Sequence, residues 1–350
     1  MKKKTVRDVK LTGKKVIHHC DFNIKLQKDA VGHLTPVSDI RLKAYFPSIF
    51  YLLERNCKII FISWLERPGG KVVPELSLAP VAKRLSRLIN KQVYFLDDCV
   101  GPKVKKFINQ MKPGQMVMLD NTRFHPGEET DNDSFAKKLA GNGDLMVQDA
   151  FGHCHRIHAS VTGIPRHLTS VMGPYLEKEI NILDSLYKKP QSPFVLVIGG
   201  TKVEDKMPAM KKLLPQADYV LTNDFWAKVL KPGRKIITPV DSITTNGRNW
   251  DIGPKTIKKY VAIIRRAQTI FWNGPLGQYE NPRFSHGTRQ IAQAISENQG
   301  TTILAGGDTA AAAEKFDLVF KYTHVSIAGG ATLEYLAGNK LPGLEALTNL

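Results

Sequence analysis

Arginines recur in the first half of the chain just beyond short apolar runs. Arg67 follows FISWLE, Arg123 follows the MLDNT run, Arg156 lies in DAFGHCHRIH shortly after LMVQ, and Arg41 opens the pattern RLKAYFPSIFYLLE. Asp21 and Asn23 stand in the same relation to VIHHC. Each guanidinium offers a planar fork of donors, so several on one edge suit a substrate carrying carboxylate and phosphate groups. Taken singly, each arginine reads better as a surface or structural residue; the signal is in the set.

The second half has glycine at the corresponding places. Gly199-Gly200 follow FVLVI, Asn273-Gly274-Pro275 follow TIFW, Gly306-Gly307-Asp308-Thr309 follow TTIL, and Gly329-Gly330 follow HVSIA. Glycine pairs let backbone amides approach a ligand, and a helix N-terminus behind them favours negative charge. Lys202 and Lys206, at i and i+4 after the first pair, share a face if that stretch is helical. Tight turns without a ligand remain the competing reading. No GxxxxGK[ST] loop, GxGxxG fingerprint, HRD or DFG is present, which excludes a P-loop enzyme, a classical dehydrogenase and a protein kinase. His153, Cys154, His155 and His158 are dense enough to raise a metal, but no second ligand group stands nearby at standard spacing.

Positioning these residues requires alternating strands and helices. Apolar runs at 58–62, 92–96, 116–119, 145–148, 194–198, 219–221, 236–239, 269–272, 301–304 and 324–327 read as strands. Helical patterns fall near 43–55, 133–140, 205–214, 287–297 and 331–337. The clearest follows Gly253-Pro254, with Ile257, Tyr260, Val261 and Ile264 on one face. Nearly continuous apolar strands between helices predict an α/β fold of parallel sheets covered on both faces. Ligands then bind beyond the carboxyl ends of the strands, where the arginines and glycines are. A helix ending in a polar, proline-bearing stretch at 176–193 marks a domain boundary, and 350 residues suit two domains.

Fifty Lys and Arg against 32 Asp and Glu give +18, a field that attracts anions of any kind. Cys20, Cys57, Cys99 and Cys154 form no CxxC pair and read as free thiols in a reducing compartment. The opening MKKKTVRDVKLTGKKVIHH lacks the apolar core and cleavage site of a signal peptide, and no run is long enough to span a membrane, so a cytoplasmic protein is expected.

The motifs DFN (21–23), RLKAYFPSI (41–49), SWLERPGG (63–70), DDCVGPKV (97–104), DNTRF (120–124), DAFGHCHRIHAS (149–160), GGTKVEDK (199–206), PVD (239–241), WNGPLGQYE (272–280), GTRQIA (287–292), AGGDTAAAAEKF (305–316) and HVSIAGGATLEYLAGNKLPGLEAL (324–347) occur in an order and over a span that resemble the phosphoglycerate kinase family. The resemblance implies two Rossmann-like domains joined by a hinge helix. A phosphoglycerate-binding domain would comprise 1–173 with 338–350, the hinge helix 174–189, and a nucleotide-binding domain 190–337. It implies reversible phosphoryl transfer between 1,3-bisphosphoglycerate and ADP, by hinge closure and without a general base. Asp21, Asn23, Arg41, Arg67, Arg123 and Arg156 match substrate positions, with Arg41 and Lys202 the catalytic pair. Gly199, Gly200, Lys202, Lys206, Asn273, Glu280, Gly306, Gly307, Asp308 and Thr309 match nucleotide positions, and Asp308 would hold Mg²⁺ through the nucleotide. Glu179 and His324 match an interdomain pair. The implied partners are small molecules, with no membrane, and the implied state is a monomer.

The chain departs from the family pattern in several places. Trp64 replaces a histidine, Glu66 a glycine, and His19 an arginine. Thr222-Asn223-Asp224 replace a glycine triplet, Ala305 and Ala328 the first glycines of two more, and the following helical insertion shrinks to FWAKVLKPGRK. These changes predict a bulkier substrate pocket and an altered nucleotide pocket. They leave open a catalytically impaired paralogue with a binding or regulatory role, while the charge alone raises a basic nucleic-acid-binding protein on this fold.

Overall fold

The computed structural model describes residues 2–188 and 190–350. The chain divides into two compact units, the first running to Glu179 and including Lys340–Leu350, the second spanning Ile180–Asn339. The division falls inside the helix Pro174–Lys188. The chain's last residues pair within the first unit, where the Lys4 amide donates to the Thr348 carbonyl and the Thr348 amide to that of Ser170, both at 2.9 Å.

The first unit carries a sheet of β1 (Lys15–His19), β2 (Lys58–Ile62), β3 (Val93–Leu96), β4 (Met116–Leu119), β5 (Leu145–Gln148) and β6 (Ser170–Met172) in the order β3-β4-β2-β1-β5-β6, all parallel. Ile17, Ile60, Val117 and Met146, on four neighbouring strands, share a core with Val104 and Ile108 of helix Pro102–Gln110 and Leu139 of helix Asp133–Ala140. The second unit repeats the plan with β7 (Phe194–Ile198), β8 (Tyr219–Thr222), β9 (Ile236–Ile237), β10 (Thr269–Asn273), β11 (Thr301–Ala305) and β12 (His324–Ser326) in the order β9-β8-β7-β10-β11-β12. These are the α/β sheets expected from the continuous apolar runs. Helix Pro254–Ile264 starts with proline at its first turn and buries Ile257, Tyr260 and Ile264, as its periodicity predicts.

The strand order in each sheet reverses once, between β1 and β5 in the first and between β7 and β10 in the second. At such a switch point the flanking loops run to opposite sides and leave a crevice. Asp21 and Asn23 follow β1 and Arg156 follows β5, while Gly199-Gly200 follow β7 and Gly274 follows β10. A hairpin, Ser242–Thr245 with Arg248–Ile252, stands apart from the second sheet. Its turn is Asn246-Gly247 with both φ values positive (53° and 70°), the mirror-image turn whose twist matches paired strands. No described helix is long and apolar enough to cross a membrane.

Candidate active site

In the first unit the Asp21 carboxylate is 4% exposed and meets the Arg41 guanidinium on one oxygen. Its other oxygen lies 3.2 Å from His153 Nε2. Burial alone would raise the Asp21 pKa, but the Arg41 charge, with the polar contacts from Arg41 and His153, overrides it and holds the carboxyl well below its usual range. Asn23 Oδ1 accepts the Glu66 amide at 3.0 Å, and Arg123 Nη1 donates to the Glu66 carbonyl at 2.6 Å. Arg123 is largely buried. That burial pushes its pKa down, and the charges of Arg156 and Arg67 add to the effect against the opposing Glu129 and Glu128 carboxylates. Arg67 and Arg156 themselves are exposed. Asp21 thus meets Arg41 directly and accepts the Asn23 amide, while Asn23 and Arg123 both hold the Glu66 backbone, with Arg67 and Arg156 adding positive potential from the surface.

Two substitutions expected to crowd this pocket are accommodated otherwise. Trp64 is 3% exposed and stacks on the His153 ring with centroids 3.5 Å apart and planes at 16°, and Arg123 lies over the indole at 4.4 Å. Glu66 contributes its backbone, while its side chain is exposed. Its φ of 53° is in the left-handed region that favours glycine. Of the histidines that suggested a metal, His153 is instead stacked on Trp64 with its Nδ1 3.0 Å from His19 Nε2, and His158 packs tilted against the same indole. Asp98, Cys99 and His125 do converge within 4.8 Å. There the Asp98 carboxylate already accepts the Cys99 and Val100 amides and faces His125 Nε2 at 2.8 Å, which makes it the centre of a turn.

In the second unit a cavity of about 370 Å³ is lined by Gly200, Asp308 and Glu280 among the expected residues. Lys206 lies beside it and donates to the Gly199 carbonyl at 2.9 Å; burial pushes its pKa down to about 8 against the pull of Asp308. Asn273 and Thr309 are buried props. Asn273 Nδ2 and Thr309 Oγ1 each donate to the Ala305 carbonyl at 2.8 Å, and the Gly274 amide donates to Thr309 Oγ1 at 2.7 Å. Ala305 is 1% exposed, so its methyl sits in the core and does not project toward a ligand.

Two expectations need correction. Lys202 caps helix Val203–Leu213 with φ −82° and ψ 75°, outside the helix, so Lys202 and Lys206 do not share a helical face. The Gly199 and Gly200 amides are occupied by the Asn273 and Pro275 carbonyls at 3.0 and 2.7 Å. Gly199 serves close backbone packing, since a methyl there would sit 2.1 Å from the Pro275 oxygen, and Gly200 serves a positive φ of 77°. Gly306 (φ 99°) and Gly307 match the ligand-approach expectation better, because a methyl on Gly307 would meet nothing within 4 Å.

The sequence reading missed the cavity's other wall. Phe225, Arg248 and Trp250 line it, with the Arg248 guanidinium 4.7 Å from the Trp250 ring centroid. The Asn246-Gly247 dipeptide between alternating segments was the available hairpin signal.

The family model described as phosphoglycerate kinase matches residues 6–231 and 217–339. The chain belongs to the phosphoglycerate kinase family. It is 38% identical over 395 residues to the phosphoglycerate kinase of Borreliella burgdorferi and 37% identical over 395 residues to that of Pelotomaculum thermopropionicum, covering 99% of each pair. Among solved structures, the phosphoglycerate kinase of Pyrococcus horikoshii OT3 superposes with a TM-score of 0.85 at 29% identity, and that of Coxiella burnetii with 0.79 at 30%, each over 98% of both chains. The two family-model segments overlap at 217–231. The Arg248–Trp250 hairpin wall lines the cavity in this chain.

Proposed function

We propose that the chain catalyses reversible phosphoryl transfer between 1,3-bisphosphoglycerate and ADP, giving 3-phosphoglycerate and ATP. The observation that carries the reading, beside the family, is the Asp21–Arg41 pair set among Arg123, Arg67 and Arg156 at one switch point. A second switch point has an open cavity flanked by Lys206 and Asp308. A terminal ADP oxygen forms a bond to the acyl phosphorus as the bond to the carboxyl oxygen breaks. The leaving carboxylate needs no proton, so the chain supplies position and charge and no general base. Arg41 and Lys202 neutralise charge on the transferring group, while Asp21 and Asn23 hold the glycerate. Substrate and nucleotide belong to different units in this reading, which therefore carries the hinge closure that the resemblance implies.

Asp308 is an exposed carboxylate at the start of helix Gly307–Lys315 and lines the cavity. One hard oxygen donor open to water fits Mg²⁺, which keeps several waters and takes its other ligands from phosphates. Bound there with the nucleotide, the ion would supply neutralisation of phosphate charge. A cytoplasmic monomer is the accompanying proposal, drawn from the resemblance.

The test is a coupled assay of ATP and 3-phosphoglycerate turnover with Mg²⁺, run beside Arg41→Ala and Lys202→Ala. Loss of a charge donor to the transferring group is expected to cost about 10²- to 10³-fold in turnover for each variant. Wild type and variants equally silent, with calorimetric ligand binding intact, would instead assign a binding paralogue.

A further inference from the structure

Three side chains that follow three neighbouring strands meet behind the Asp21–Arg41 pair. His19 ends β1, Trp64 follows β2, and His153 follows β5. His153 is 3% exposed and held on each side: its ring face lies against Trp64, Nδ1 is 3.0 Å from His19 Nε2, and Nε2 is 3.2 Å from Asp21 Oδ1. A carboxylate only accepts, so the ring nitrogen facing it carries the proton. His153 Nδ1 is then bare and accepts from His19 Nε2–H, and a line of polar contacts runs from His19 through His153 and Asp21 to Arg41.

We propose that His153 is a positioning residue of the substrate site, fixing the Asp21 carboxylate and, through it, the Arg41 guanidinium. This rests on the phosphoglycerate kinase reading. The geometry favours this role over simple core filling. Asp21 Oδ1 also receives the Asn23 amide at 3.2 Å, so His153 completes the polar shell of the oxygen not in contact with Arg41. The ring also links two arginines of the site, the half-buried Arg41 through Asp21 and the buried Arg123 through Trp64. Burial, together with the Arg41 and Arg123 charges, outweighs Asp21 and keeps the imidazole in its neutral, single-donor form.

The experiment compares His153→Leu, which keeps bulk without a donor, with His153→Gln, whose amide N–H can stand in for Nε2–H. The leucine variant is expected to lose at least tenfold in kcat/KM for 3-phosphoglycerate with KM for ATP unchanged, and the glutamine variant to recover to within threefold of wild type. Leucine and glutamine variants equally impaired, or a leucine variant as active as wild type, would overturn the proposal. If the leucine variant does not fold, His19→Leu, which removes the donor to Nδ1, is expected to give a smaller loss in the same parameter, and no loss there counts against the proposal. A wild type that binds 3-phosphoglycerate by calorimetry without turning it over sinks the functional reading alone. In that case a tenfold weaker affinity in His153→Leu still supports the positioning role, and equal affinity refutes it.

Discussion

The two switch points have the same strand plan and opposite construction. At β1/β5 the edge is built from side chains: a buried carboxylate paired with a half-buried guanidinium, a guanidinium over an indole, and imidazoles kept neutral by burial. At β7/β10 it is built from backbone, with Gly199, Gly200 and Gly274 bringing two strand-end loops into contact and an open cavity beside them. A side-chain edge is sensitive to charge and protonation, because each buried ionisable group depends on its partners. A backbone edge is sensitive to single methyl groups.

The largest effect should come from the backbone edge. Gly274 has φ 94°, and a methyl there would lie 2.2 Å from the Gly199 oxygen, a rigid backbone atom. Gly274→Ala should cost roughly 3 kcal/mol or more in urea unfolding. Gly307→Ala separates packing from ligand approach: its methyl meets only open space at a helix start, so stability should stay within about 0.5 kcal/mol of wild type. If Gly307 leaves room for phosphates, the same variant should weaken ADP binding about tenfold in calorimetry. Equal destabilisation by both substitutions would erase the distinction between the two glycines.

Acid should weaken the side-chain edge first. The pKa values of His19 and His153 are lowered by burial, and those of His155 and His158 are pushed down to about 4 by burial and nearby arginines. The stability they contribute is full above their unfolded value of about 6.5 and is lost as pH falls toward 4. Glu128 acts the other way, because burial pushes its pKa up to about 7, so its contribution is full below about 4.5 and lost as pH rises through 7. Over nearly the same window Glu128 and His158 offset each other at roughly 3 kcal/mol each, and the remaining histidines set the sign. Urea unfolding followed by Trp64 fluorescence, in a variant with the other tryptophans replaced by phenylalanine, should give a lower midpoint at pH 4.5 than at pH 7. A midpoint higher at pH 4.5 than at pH 7, as Glu128 alone would give, would mean that the imidazoles titrate normally and the edge is wetter than its burial implies.

These edges were unequally legible in the sequence. Continuous apolar runs announced most strands and the parallel sheets, and the arginines and glycines stood where strand ends put them. Short or polar elements escaped: β6 is three residues, Ser170–Met172, and the hairpin strands Ser242–Thr245 and Arg248–Ile252 are only half-buried, so they carry little hydrophobic signal. Helices Ala79–Ile89 and Pro102–Gln110 were missed although each has proline in its first turn. The stacking of Trp64 on His153 could not be read at all, because it depends on β2, β1 and β5 being neighbours, which the chain order does not state. Nor could the commitment of the Gly199 and Gly200 amides to opposite carbonyls, since a glycine pair looks the same whether it faces a ligand or a second loop.

The smallest effect concerns Lys206, which the backbone edge half-buries. Lys206 Nζ donates to the Gly199 carbonyl beside the cavity, and burial brings its pKa down to about 8, so near that pH the side chain is about half protonated. A polyphosphate in the cavity would favour the charged form and raise the pKa, because an anion close to an ammonium stabilises its proton. ADP binding at pH 8 should therefore take up about half a proton, read as a binding enthalpy that varies with the ionisation heat of the buffer. At pH 6.5 the uptake from this group should vanish, and in Lys206→Met it should be absent at both pH values. Uptake that persists in Lys206→Met would move the proton to another group and leave Lys206 as a fully charged, water-exposed lysine. The two edges would then differ in their geometry but not in how each handles charge.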